Sequence, residues 1–433
     1  MTGPSWAPAT RSVSFAAAVL CAVSMAACTS GESGPTDSGA PGGSSGPTVP
    51  TVPAVPTMTI GTSPTLGPLK PLAWSQIALP AGHVPVTLTA YGGRVLVGTV
   101  VGEAPGRPGL VQLGLPSAQA KVLTVTPASG YGSQATWLSI EGTSDGGLVG
   151  VGGARGGAHS NVRWSVWRGD ATGLREQEQV FSTFGGWGAG DQLGVIPTST
   201  EPMLLGTWES RQSGLDADVW LPVGATWVRQ DPSGTVLAST KTALVGPQAG
   251  TAQGASALVV GSVVELGEGA RERPAAWVSR DGNSGWRELP LIATGSGATL
   301  GVGCREIGCL MVGRVDGRLA AWKVLTAEGQ SLADVESAVG EGVPAVAVSD
   351  AGTWPAPRVW RGRWTVAVPT PTSAAGGTPN PRRESILLVD GPGGWERRET
   401  PPGAVIAMAV TGQTLYAVLR SPSGEVHLWA TQE

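Results

Sequence analysis

Residues 74–80 read WSQIALP, inside the longer stretch PLAWSQIALPAG at 71–82. The pattern is that of a strand that closes a β-structure, because an indole opens it, polar and apolar residues follow, and Pro-Ala-Gly ends it. Nothing upstream can pair with it. The forty or so preceding residues are Pro, Gly, Ser and Thr with almost no large side chains, so its partner has to come from downstream.

Downstream, a triplet of two residues, usually large and apolar, followed by Gly or Ala recurs: Leu96-Val97-Gly98, Leu148-Val149-Gly150, Leu204-Leu205-Gly206, Val259-Val260-Gly261, Met311-Val312-Gly313, Thr365-Val366-Ala367 and Leu415-Tyr416-Ala417. The spacing stays within about 50 to 56 residues, the range of a four-stranded propeller blade. Each copy is preceded by an apolar run and a turn, and followed by a third strand that often carries Trp, as at Trp167, Trp220, Trp277 and Trp322. A fourth strand opens on Trp at Trp227, Trp286 and Trp395. WSQIALP fits that fourth-strand pattern, while the last copy stops after its third strand, EVHLWATQE. A circular array resolves both defects. The expectation is an all-β fold, a seven-bladed β-propeller over residues 68–433 whose N-terminal strand closes the last blade and removes two exposed edges. The small third residue of the triplet is expected where backbones approach closely.

Composition agrees. Of 433 residues only 14% are charged, while Gly numbers 66 and Trp 17, a profile of short strands, turns and packed indoles rather than helices. A net charge of −4 with no basic block gives no attraction to nucleic acid. Residues 1–27 read as an export signal: Arg11 gives the positive end, SVSFAAAVLCAVSMAA the apolar core, and small residues precede Cys28. Met25-Ala26-Ala27-Cys28 resembles the lipobox of bacterial lipoproteins, which implies a diacylated, palmitate-bearing Cys28 and a protein held at the outer face of the cell membrane. Residues 28–67 are then a low-complexity tether that buries too little apolar surface to fold. Cys304 and Cys309 flank a short polar turn, so an exported chain can join them in a disulfide across a hairpin. No second Cys pair or close His pair completes a zinc site, and neither a metal nor another cofactor is expected.

Ser279-Arg280-Asp281-Gly282-Asn283-Ser284-Gly285-Trp286 resembles the Asp-box of sialidase-like propellers, with Asn283 where Gly is usual and suited to a left-handed turn. Asp390 and Trp395 give a weaker echo, with Leu388 and Pro392 departing from the pattern. In that family the box is a structural turn between third and fourth strands. A sialidase would also need an arginine triad, a Tyr nucleophile and its Glu; the tyrosines are Tyr91, Tyr131 and Tyr416, and no Arg-Ile-Pro motif accompanies them. Gly42-Gly43-Ser44-Ser45-Gly46 fits a nucleophile elbow in letters only, because it lies in the tether without a strand and helix around it.

Antiparallel strands put the loops between second and third strands, and the connections between blades, on one face of the disc. The former are expected to be long and charged, with Arg155, His159 and Arg163; Glu209, Arg211, Asp216 and Asp218; and Glu265, Glu268, Arg271, Glu272 and Arg273. Loops on a rigid scaffold are where binding resides, so these are the candidate site. PRVWRGRW at 357–364 interleaves Arg358, Arg361 and Arg363 with Trp360 and Trp364, a candidate glycan surface or simply blade packing. The sequence therefore points to a non-catalytic, monomeric binding or scaffold module for a protein or cell-wall glycan, the alternative being a sialidase-like or other propeller glycoside hydrolase.

Overall fold

The structure is a computed structural model describing residues 66–103, 105–114, 119–156, 161–349, 352–371 and 385–432. The expected signal peptide, Cys28, nearly all of the tether, His159 and the nucleophile-elbow look-alike lie outside the described residues. Within them the chain is all-β; the few helical turns are short 3-10 segments.

Consecutive strands form antiparallel sheets of four, and the first strand of each lies at one edge: His83–Tyr91, Thr136–Gly142, Ala189–Ile196, Ala243–Gln253, Gly297–Arg305, Arg358–Trp360 and Ala404–Thr411. Each of these strands touches the corresponding strand of the next sheet, and Ala404–Thr411 returns to His83–Tyr91. The sheets thus radiate from a closed inner ring. This is a β-propeller. One join was not foreseen: the outermost strands of the first two units, Ala120–Thr126 and Gly173–Gln177, pair in parallel and merge those units into one eight-stranded sheet.

All the apolar triplets lie on the second strand of their sheet, for example Leu96-Val97-Gly98 on Arg94–Val101 and Val259-Val260-Gly261 on Ser256–Leu266. Opposite most of them the inner strand is bulged, between Pro85 and Thr87, Pro247 and Ala249, and Thr299 and Gly301 among others. A bulge bends the strand toward its partner. A Cβ on Gly206 would stand 2.7 Å from the Asp191 carbonyl oxygen, and one on Gly261 or Gly313 would overlap the carbonyl oxygens of Gly246 and Ala298. Crowding against a bulged neighbour is why the third residue is small.

The hydrophobic core is divided among the interfaces between sheets. One cluster joins Ile196 and Leu205 to Val259 and Trp277; another joins Val260 and Val278 to Met311 and Trp322. Trp167, Trp220, Trp277 and Trp322 are the largest fully buried side chains, and three of their indole N–H groups find acceptors, Trp167 on Ser165 Oγ at 3.0 Å, Trp220 on the Thr183 carbonyl at 2.8 Å and Trp322 on that of Ile292 at 2.9 Å. Trp360 and Trp364 are buried as well, so PRVWRGRW serves packing: Arg361 covers the Trp360 ring, Arg363 pairs with Glu396 and Arg358 bonds the Met408 carbonyl.

The seam lies where WSQIALP predicted it. Ser75, Gln76 and Ile77 pair antiparallel with Ala430, Trp429 and Leu428, and the cluster of Leu88, Val97, Tyr416 and Leu428 spans the last and first units. A second clasp precedes it. Lys70 exchanges backbone bonds with Arg397 and Glu399, and the Trp74 indole donates to the Glu399 carbonyl at 2.8 Å, so the entering chain grips the sixth unit before completing the last.

Candidate functional site

Strand alternation places the hairpins between second and third strands on the same face as the connections from one sheet to the next. These hairpins are built differently from the expectation. Glu265, Arg271, Glu272 and Arg273 lie on strands Ser256–Leu266 and Ala270–Ser279, which pair as far as Leu266 and Ala270 and leave only 267–269 as a turn with exposed Glu268. Val263 and Val264 carry the strand outward, and the opposed charges of Glu265 and Arg271 sit directly across from each other. Likewise Asp216 and Asp218 belong to strand Leu215–Val223 and Arg155 and Arg163 to strands Leu148–Gly156 and Asn161–Asp170, not to loops.

Much of the predicted charge is paired within the face. Arg273 bridges Glu265 at 2.8 Å and both oxygens of Glu288, an arrangement that holds its guanidinium pKa above the ordinary value through the Glu288 hydrogen bonds. Glu272 reaches Arg314 of the next unit at 2.8 Å, and Arg211 meets Asp231 at 2.5 Å. Arg271 is exposed on the wall of an open cleft of about 440 Å³ that Glu288, Pro290 and Leu291 line opposite it. Glu209 is exposed beside Trp208.

Asp216 and Asp218 do not form a cation site. Both are buried; Asp216 Oδ1 accepts from the Ser239 N–H at 2.6 Å, and Asp218 Oδ1 accepts from Arg229 at 2.8 Å while its Oδ2 has no hydrogen-bond partner. Burial pushes the Asp218 carboxyl up to about 6 against the opposing pull of Arg229, with Asp216 and Asp231 adding to the rise. Arg229 is itself stacked 4.7 Å from the Trp208 ring. No group of His, Cys, Asp and Glu suited to a metal ion occurs among the described residues.

Sequence reasoning missed the most exposed feature of this face. In the connection between the second and third units, Trp187 is 91% exposed, Val180 72% and Phe181 60%. Gly186 and Gly188 flank Trp187 with φ of 97° and 83°, a left-handed backbone that glycine adopts freely, so the indole stands out from the connection. A Cβ at Gly188 would come 2.7 Å from the Trp208 Nε1 and 3.0 Å from Glu209 Cβ. Arg163 lies 4.8 Å over the Phe181 ring. Beyond it, Tyr131, 41% exposed, packs its ring where a Cβ on Gly156 would fall. Tyr131, Phe181 and Trp187 are thus exposed rings on the connections that flank the hairpin carrying the predicted Arg155 and Arg163. The signal was Gly185-Gly186-Trp187-Gly188 itself, a Trp outside the third- and fourth-strand positions.

The Asp-box-like turn joins strands Ala270–Ser279 and Arg287–Glu288 as expected. Asp281 Oδ1 accepts the Asn283 and Ser284 N–H groups at 2.9 Å, and Ser279 Oγ accepts that of Gly282 at 2.9 Å; burial raises the Asp281 carboxyl and these bonds more than reverse it. The left-handed positions are Gly282 and Gly285, not Asn283, so Asn283 takes an ordinary conformation and its departure from Gly costs nothing in backbone strain. Asp390 does not repeat the arrangement, since its carboxylate meets Lys323 at 3.3 Å. Cys304 and Cys309 are directly opposed across their hairpin and bonded.

The chain matches no protein-family model, nor any curated protein. Solved propeller structures are similar at low identity. The β-propeller domain of the Trilobed protease from Pyrococcus furiosus matches with a TM-score of 0.47 at 8% identity, over 81% of this chain and 95% of that one. The Pyrococcus horikoshii acylaminoacyl peptidase gives 0.46 at 9%, over 80% of this chain, which spans only 51% of the peptidase. Trypanosoma rangeli sialidase gives 0.41 at 11%, over 82% of this chain and 59% of the enzyme.

Proposed function

We propose that the chain is an exported lipoprotein, anchored through Cys28 at the outer face of the cell membrane, whose seven-bladed propeller binds a protein or cell-wall glycan without turning it over. One observation carries the binding reading: Trp187, held out by two left-handed glycines and 91% exposed. An indole in water exposes a large apolar surface, and Trp with Arg is the pairing that dominates interface energetics. At its base Gly188 lies against Trp208 and Glu209, and Arg229 stacks 4.7 Å from the Trp208 ring, which backs the connection that carries the indole.

Hydrolysis of a glycoside is the second reading, raised by the resemblance of the Ser279–Trp286 turn to the Asp-box of sialidase-like propellers, although that turn is structural in the family. Two of the three tyrosines supply little for it. Tyr416 is buried in an inter-sheet cluster that pushes its hydroxyl pKa up, and the Tyr91 hydroxyl donates to the Gly146 carbonyl. The test is crosslinking of the lipidated protein in membranes beside a panel of fluorogenic glycosides. Trp187→Ala is expected to abolish partner capture with the fold intact, and Cys28→Ala to release the protein into the medium. Turnover of a glycoside by the wild-type chain, or capture unchanged by Trp187→Ala, overturns the binding reading.

A further inference from the structure

The connection from the fourth unit to the fifth and the hairpin that carries Glu265 and Arg271 wall an open cleft of about 440 Å³, within the size range of small-molecule sites. Four charged side chains line it, Glu265, Arg271, Arg273 and Glu288, together with Pro290 and Leu291. They are not equivalent. Arg273 donates to Glu265 at 2.8 Å and to both oxygens of Glu288, so three of its five N–H donors are taken and both carboxylates are held in place. Arg271 is exposed and makes no hydrogen bond or ion pair among the described residues. Each carboxylate oxygen carries two lone pairs, so Glu265 and Glu288 keep acceptor capacity beside the unpaired donors of Arg271.

Such a lining selects by charge. Two guanidiniums and two carboxylates cancel, so an anion drawn to Arg271 is repelled by Glu265 and Glu288, and a cation meets the reverse. A neutral polyol suits both kinds of group at once. Its hydroxyls donate to the carboxylates and accept from Arg271, every such bond having a charged partner, while the C–H face of a sugar ring suits the apolar surface of Pro290 and Leu291. An extended peptide also carries donors and acceptors, but it docks on a free strand edge. The outermost strand here, Arg287–Glu288, is two residues long, and Pro290 beyond it has no N–H to offer. Because the Arg273 pairs already fix the carboxylates, a ligand orders few side chains on arrival. We infer that this cleft binds a neutral saccharide, whose hydroxyls are shared between Arg271 and the carboxylates of Glu265 and Glu288.

The inference rests on the reading of the chain as a binding module and names glycan rather than protein as a ligand, at a cleft two units away from the Trp187 connection. The probes are cellotriose, maltotriose, mannotriose and chitotriose, all neutral, beside sialyllactose as an acidic sugar and a capped tetra-alanine as a neutral peptide. Each is titrated calorimetrically into the full-length chain in detergent. At least one neutral trisaccharide is expected to bind, with an affinity that holds from about 0.01 to 1 M salt because no net charge is neutralised. Arg271→Ala is expected to weaken it about ten-fold, the size of one charge-assisted hydrogen bond, with coincident melting curves. Failure of every neutral probe, binding confined to sialyllactose, displacement of the sugar by tetra-alanine, or indifference to Arg271→Ala overturns the inference. Trp187→Ala separates the two readings. A sugar lost on that change but kept on Arg271→Ala sits on the indole, which sustains the binding reading and overturns this one; a sugar that depends on Arg271 while partner capture is indifferent to Trp187→Ala does the reverse.

Discussion

Asp218 shows how one buried carboxylate shapes the response of the third sheet to acid. In the folded chain its pKa stands at about 6, through burial first, against an ordinary 3.8. Between those values the folded state holds a proton that the unfolded state has released, so stability falls as pH rises through about 4 to 6 and levels off above. The difference corresponds to about 3 kcal/mol. Asp218→Asn, which cannot titrate, is expected to flatten that part of the curve in urea melts from pH 4 to 7; a slope unchanged by the substitution contradicts the account. Arg229→Ala is expected to act in the opposite sense at pH 7, leaving a buried carboxylate unpaired at a cost of about 3–5 kcal/mol. Neither role was readable beforehand. The letters Leu215-Asp216-Ala217-Asp218 look like a polar loop, and only the pairing with Trp208 and Gly206 shows that both carboxylates point into a sheet.

At the scale of the strand, the triplet was readable because burial on both faces gives second strands a run of apolar residues rather than an alternation. The bulge facing it was not, because an unpaired residue such as Val86 or Leu300 leaves no mark in composition. The two together predict that Gly261→Ala is far more harmful than its one added methyl suggests, since the new Cβ overlaps the Gly246 carbonyl oxygen on the bulged strand. A loss of about 1–3 kcal/mol is expected by chemical denaturation, whereas Ala417, at the matching position, carries that methyl natively. The hairpins failed as a loop prediction for a related reason. Opposite charges at Glu265 and Arg271 read as solvated loop when the chain is taken singly, yet across a ladder they extend it. Trp187 is hard to read from the sequence because the repeated indoles draw the eye to packing, whereas its glycine frame marks an indole outside that repeat.

For the whole ring, the expectation from WSQIALP held at the level of the strand pair, because a lone strand beside an incomplete last sheet leaves a single solution, and the structure adds the register, Ser75 to Ala430 and Ile77 to Leu428. Removing residues 66–80 is expected to expose the edge of strand Val426–Thr431 and strip Ile77 and Trp74 from their clusters. Such a chain is expected to unfold at lower urea and to self-associate through the bare edge, which sedimentation and melts would register; a monomer of native stability would contradict the seam's role.

The seam also sets an order of events during synthesis. Ser75 emerges early, yet the strand it needs ends at Thr431, roughly 350 residues later. Contacts so distant along the chain form slowly, and here they cannot form at all until the carboxyl end has been delivered. Each inter-sheet cluster is able to settle as its two sheets appear, but the wheel turns on no hub of its own until the final residues arrive, and a nascent chain halted a few residues short would be left as an open fan.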